Sequence, residues 1–150
     1  MKRVVITGMG IYSCIGKNLE EVKTSLYNGK SGIVYDQERK DFGYRSPLTG
    51  MVESPNLKKQ LSRRERISLG DEGAYAYVAT IEALENAKLT QDYIDKNEVG
   101  ILYGNDSTAK AVVDSVDKIR EKKDTTLVGS GAIFKAMNST VTMNLSTLFK

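Results

Sequence analysis

The sequence predicts an α/β fold, an incomplete mixed sheet with helices packed against it. Three observations lead there. β-Branched runs alternate with longer helical patterns along the chain. Only two of the strand-like runs are strong, too few to cover the edges of a sheet. The last apolar helical pattern runs out to Leu148-Phe149-Lys150 with no stop signal. The expectation is therefore one portion of a larger α/β domain.

Residues 3–8 read as a buried strand, because Val4, Val5 and Ile6 are β-branched and Thr7-Gly8 begins an exit. Gly8, Gly10 and Gly16 punctuate the loop that follows. A helix fits residues 18–28: Asn18 suits the N-cap, Glu20 and Glu21 the first turn, and Leu19, Val22 and Leu26 share a face. Asn28-Gly29 ends it, since both residues tolerate the left-handed conformation. Residues 31–35 form at most a short strand within a stretch, 30–62, that Pro47, Gly50, Pro55 and mixed charge mark as mostly loop. A long helical pattern covers 63–88, with Tyr77, Ile81 and Leu84 at helical spacing. Residues 98–103 predict a second strong strand, residues 108–122 a charged helix, and residues 131–148 a helix carrying Ile133, Met137, Val141, Leu145 and Leu148 on one side.

Composition excludes several chemistries. The 150 residues contain no histidine, so no Ser-His-Asp or Cys-His machinery and no His-containing zinc site is complete within them. Cys14 is the one cysteine, which precludes an intrachain disulfide or a Cys-rich metal cluster. A net charge of +3 does not imply nucleic acid. No apolar run reaches the roughly 18 residues of a membrane helix, nor does the opening resemble a signal peptide. The expected location is the cytoplasm.

Four local features invite chemistry. Gly8-Met9-Gly10 follows a strand-like run, but Ser13 stands where a dinucleotide fingerprint needs its third glycine, and Asp36 lies too far on for the acidic partner. A tight strand exit is the simpler reading. Asn105-Asp106-Ser107-Thr108-Ala109-Lys110 opens a helix where N–H groups would suit an anion; Asp106 or Ser107 as a helix N-cap explains it more simply. Cys14 has no histidine to activate it and reads as a small buried filler. Lys58, Lys59, Arg63, Arg64 and Arg66 gather five positive charges in nine residues, offset by Glu65. They form either a solvated helix start or a docking patch for an acidic partner. Lys118, Arg120, Lys122 and Lys123 make a second, more diluted cluster.

Several segments together resemble the β-ketoacyl–acyl carrier protein synthases. Residues 1–11, Met-Lys-Arg-Val-Val-Ile-Thr-Gly-Met-Gly-Ile, are similar to that family's opening. Ser13 to Gly16 and the Gly29-Lys30-Ser31-Gly32-Ile33 segment match its next landmarks. Ala83-Leu84-Glu85-Asn86-Ala87-Lys88-Leu89 resembles a family helix end, with Lys88 in place of the usual glycine, and Val99 to Gly104 its second strand. The segment Phe134 to Val141 and the Phe149-Lys150 end look most like the elongating enzymes. The ordered set spans the chain.

The resemblance implies a thiolase-like fold of two similar stacked halves, about 400 residues in all by the size expected of such a pair. Residues 1–150 would be a partial N-terminal ketosynthase domain, without the nucleophilic cysteine and without the C-terminal half that carries two catalytic histidines. Cys14 matches a loop position, not the nucleophile, so no catalytic residue is assigned here. The implied chemistry is acyl transfer to that cysteine, then decarboxylative condensation with malonyl carrier protein in fatty acid or polyketide synthesis. It needs no cofactor or metal. The resemblance puts Arg63, Arg64 and Arg66 at the acyl carrier protein docking surface. It puts Ser107 at the neck of the acyl pocket and Met137 and Val141 at the pocket or dimer lining, where ordinary core is the competing reading. It further implies a homodimer. The chain alone is expected to be inactive and marginally stable. The alternatives are a non-catalytic ketosynthase-like subunit of the chain-length-factor type or a carrier-protein scaffold, then a nucleotide-dependent oxidoreductase.

Overall fold

The computed structural model describes residues 3–150, and within them the chain resolves into two compact units. One holds the residues through Ser54 together with Val78–Lys88; the other holds Pro55–Tyr77 and Leu89–Lys150. Met1 and Lys2 of the family-like opening lie outside the described residues.

In the first unit, the helix foreseen near residue 18 is α1, Leu19–Tyr27. Asn18 caps it by accepting the Glu21 N–H, and Asn28 closes it ahead of Gly29 at φ +61°. Val22 and Ser25 are buried, and the Ser25 hydroxyl donates to the Ile15 carbonyl at 2.6 Å. Beyond it, β1 (Ile33–Tyr35) and β2 (Leu48–Gly50) form an antiparallel pair, register Ile33↔Gly50, around the short helix α2, Gln37–Asp41. These are the strands of the sheet among the described residues.

The strand foreseen at 3–8 is a correction. Val4, Val5 and Ile6 are 96%, 72% and 85% exposed and pair with no described segment. A ladder needs a neighbour, and the chain here finds a helix instead. That helix is α4, Asp71–Ala87, whose residues from Val78 onward belong to this unit. A Cβ on Gly10 would lie 1.9 Å from the Ala79 carbonyl oxygen, and one on Gly8 would lie 2.4 Å from that of Ala83. The two glycines thus let the extended chain press on a stripe of alanines. Their neighbours' N–H groups go to α4 side chains: Met9 to Asn86 Oδ1 at 3.1 Å and Ile11 to Glu82 Oε2 at 2.9 Å. The other Glu82 oxygen accepts from Leu19 at 2.7 Å, the first residue of α1.

The second unit is helical. A 3₁₀ turn, Leu57–Lys59, leads to α3, Arg63–Ile67, and the opening turns of α4 follow. The single helix foreseen over 63–88 is therefore two. Asn144 explains the break: its Nδ2 donates to the Ser68 carbonyl at 3.2 Å and its Oδ1 accepts from the Ser68 hydroxyl at 2.7 Å. Those bonds turn Ser68 out of the ladder, with Gly70 close behind. α5 (Gln91–Lys96) and α6 (Ala109–Lys122) come next, α6 ending on Lys123 at φ +54°. Between them the second foreseen strand, 98–103, is also unpaired, with Leu102 fully exposed.

The helix foreseen over 131–148 likewise splits, into α7 (Gly131–Lys135) and α8 (Thr140–Leu148). The Thr108 hydroxyl donates to the Ala136 carbonyl at 3.0 Å, and the Thr140 N–H bonds Met137 at 3.0 Å. Polar residues at 138–140 favour such local departures from a helix. The core of this unit is Leu57, Leu61, Leu69, Ala76, Tyr77, Val141 and Leu145. The Tyr77 ring stacks on Phe149 with centroids 5.6 Å apart.

Candidate functional site

The basic run sits where two short elements meet water. Lys58 and Lys59 lie on the 3₁₀ turn and are exposed; Arg63 and Arg64 occupy the first turn of α3 and are exposed too. None of these four, nor Arg66, joins an ion pair among the described residues. Arg66 differs in another way. It is half-buried and its Nε donates to the Leu61 carbonyl at 3.1 Å, so it helps fasten the chain leading into α3.

Glu65, the acid within the run, is occupied at home. Ser62 and Glu65 form a capping box: the Glu65 N–H donates to Ser62 Oγ at 3.3 Å, and the Ser62 N–H donates to Glu65 Oε2 at 2.7 Å. Hydrogen bonding from Ser62, side chain first and backbone second, holds the Glu65 carboxyl below the usual carboxylate range. The carboxylate is thus committed to the N-terminus of α3, and Arg63 and Arg64 keep their charges outward. Beside them runs an open groove of about 580 Å³, with Arg64 and Lys150 as its cations and Ile67, Phe134, Met143 and Leu148 as its apolar wall. The sequence pattern did not reveal this groove, because its walls come from α3, α7 and α8, the first far from the other two in the chain.

The three residues foreseen as pocket or interface lining have different surroundings. Ser107 is exposed, and its Oγ accepts the Ala109 N–H at 3.2 Å. The cap position itself falls to Thr108, whose side chain makes no cap bond because it is spent on Ala136. Neither Asp106 nor Ser107 is therefore the N-cap residue, although Ser107 does satisfy a first-turn N–H. Met137 is 41% exposed in the break between α7 and α8, and Val141 is 1% exposed in the core. The Thr108–Ala136 bond joins the neighbours of Ser107 and Met137, so it brings those two segments together. Thr108, itself buried, is the tie that spacing along the sequence did not signal.

Cys14, expected as a buried filler, packs against two glycines but keeps part of its surface open. Its Sγ would lie 2.7 Å from a Cβ built on Gly32 and 3.2 Å from one on Gly50, and it is half-buried. Among the described residues no group of three or more His, Cys, Asp or Glu side chains is arranged to hold a metal ion. No helix of the described residues is long and apolar enough to cross a membrane.

Comparison with known proteins places this geometry. Residues 1–150 match the family described as "Beta-ketoacyl synthase, N-terminal domain". The 3-oxoacyl-[acyl-carrier-protein] synthase 1 of Buchnera aphidicola subsp. Baizongia pistaciae is 38% identical over 152 residues, which cover 100% of this chain and 37% of that protein. Among solved structures, a β-ketoacyl synthase from Burkholderia phymatum STM815 superposes with a TM-score of 0.85 at 26% identity, over 99% of this chain and 37% of that one. A type II polyketide ketosynthase, solved with its acyl-carrier protein, superposes with a TM-score of 0.72 at 22% identity, over 99% of this chain and 39% of that one. The fold is that of the thiolase-like ketosynthases. The chain spans little more than a third of the length of the relatives it matches.

Proposed function

The chain belongs to the β-ketoacyl synthase family through its N-terminal domain, and on that premise we propose that it serves a decarboxylative condensing enzyme as the part that receives carrier protein. The parent extends an acyl thioester by two carbons from a malonyl carrier protein, in fatty acid or polyketide synthesis. Its nucleophile and histidines lie outside residues 1–150, which form a partial ketosynthase domain. The reading extends to a homodimeric, cytoplasmic parent that requires no cofactor.

The observation that carries the docking role is the pair Arg63 and Arg64, exposed and outside any ion pair among the described residues, beside a glutamate already committed to its own helix. Free cations at a surface steer an acidic partner and set the salt dependence of its binding. Arg66 contributes positive field while its Nε holds the chain before α3. Ser107 and Met137, exposed and joined through the Thr108–Ala136 bond, supply lining for the acyl chain. Val141 backs them from the core.

The test is binding of a fluorescently labelled acyl carrier protein to the purified chain, read by anisotropy at low ionic strength. Arg63→Glu with Arg64→Glu should weaken binding by about tenfold or more, a change of about 1.4 kcal/mol. Added salt should erase most of the difference. Equal affinity of parent and variant would overturn the docking role. Condensation or malonyl decarboxylation by residues 1–150 alone would overturn the placement of the chemistry elsewhere.

A further inference from the structure

We draw no further inference here: the strongest candidate, the exposed apolar stripe of Val112, Val113, Val116 and Ile119 along α6, carries nothing because nothing in the structure shows what covers it.

Discussion

Removing the Glu82 carboxylate should loosen the first unit at two places at once. Its two oxygens accept the N–H groups of Ile11, at 2.9 Å, and Leu19, at 2.7 Å. Leu19 opens α1, so its N–H is one of those that an α-helix leaves without an internal partner. Hydrogen bonds to a charged acceptor contribute about 1.5–3 kcal/mol each, and a buried donor left unsatisfied adds its own cost. Both contacts are only partly buried, so the low end applies, and two such bonds give about 3 kcal/mol. At a factor of ten per 1.4 kcal/mol, Glu82→Ala should lower the protection of the Ile11 and Leu19 amides about a hundredfold. Amide hydrogen exchange read residue by residue by NMR is the assay. Glu82→Gln keeps one acceptor oxygen and turns an NH₂ group toward the other donor, so its effect should fall in between. Glu85→Ala is the control, an exposed residue of the same helix whose side chain makes no hydrogen bond or ion pair among the described residues. Unchanged protection at Ile11 and Leu19 in both Glu82 variants would refute the anchoring role.

Three further outcomes follow from the backbone and from one buried phenol. Gly10→Ala should destabilise by about 3 kcal/mol, because its Cβ would meet backbone atoms of α4, whereas Gly100→Ala, with nothing within 4 Å, should change little; equal urea midpoints for the two would contradict the close crossing. Lys88 and Lys123 hold φ of +57° and +54°, so replacing either by glycine should raise stability by up to about 1 kcal/mol, and a lowered urea midpoint would count against the left-handed assignment. Burial, and then the Glu65 carboxylate, push the Tyr77 phenol above its ordinary value. The folded chain then keeps that proton to higher pH than the unfolded chain. This stability is whole below the unfolded tyrosine value of about 10 and is lost as pH rises through the folded value. Parent protein should lose more stability than Tyr77→Phe across that window in urea titrations, and parallel losses would exclude the effect.

The elements legible in the sequence are those whose signals are local. Asn18, Glu20, Glu21 and Asn28-Gly29 specify both ends of α1 from within a dozen residues, and the helix forms one residue inside the range they indicate. The charged pattern over 108–122 becomes α6 for the same reason. Strands depend on a distant partner. Val4-Val5-Ile6 and Val99 to Tyr103 have strong β preference yet meet no ladder among the described residues, while the weaker Ile33–Tyr35 becomes β1 because Leu48–Gly50 lies in register beside it. The two broken helices have a related cause. Asn144 claims the carbonyl of Ser68 and Thr108 claims that of Ala136, and bonds across 76 and 28 residues leave no trace in hydrophobic periodicity.

The candidate site divides along the same line. Charge clustering alone finds the five cations and does not show that Arg66 is partly committed to Leu61, whereas the Ser62–Glu65 box is written in the Ser-x-x-Glu spacing rather than in the charges. Those local bonds withdraw Arg66 and Glu65 and leave Lys58, Lys59, Arg63 and Arg64 exposed, with Arg63 and Arg64 adjacent on the first turn of α3. Along the proposed acyl lining, Met137 and Val141 stand four residues apart and would share a face of an unbroken helix. The break at 136–139 separates their environments: Met137 keeps 41% of its surface and Val141 only 1%. A side chain with no accessible surface in its own unit offers nothing to a ligand without first leaving its packing, so Val141 acts by supporting α8. Of the two, Met137 is the one with surface to give an acyl chain. Its segment is fixed in place by the Thr108–Ala136 bond, and the Ser107 hydroxyl belongs to the same tied pair of segments.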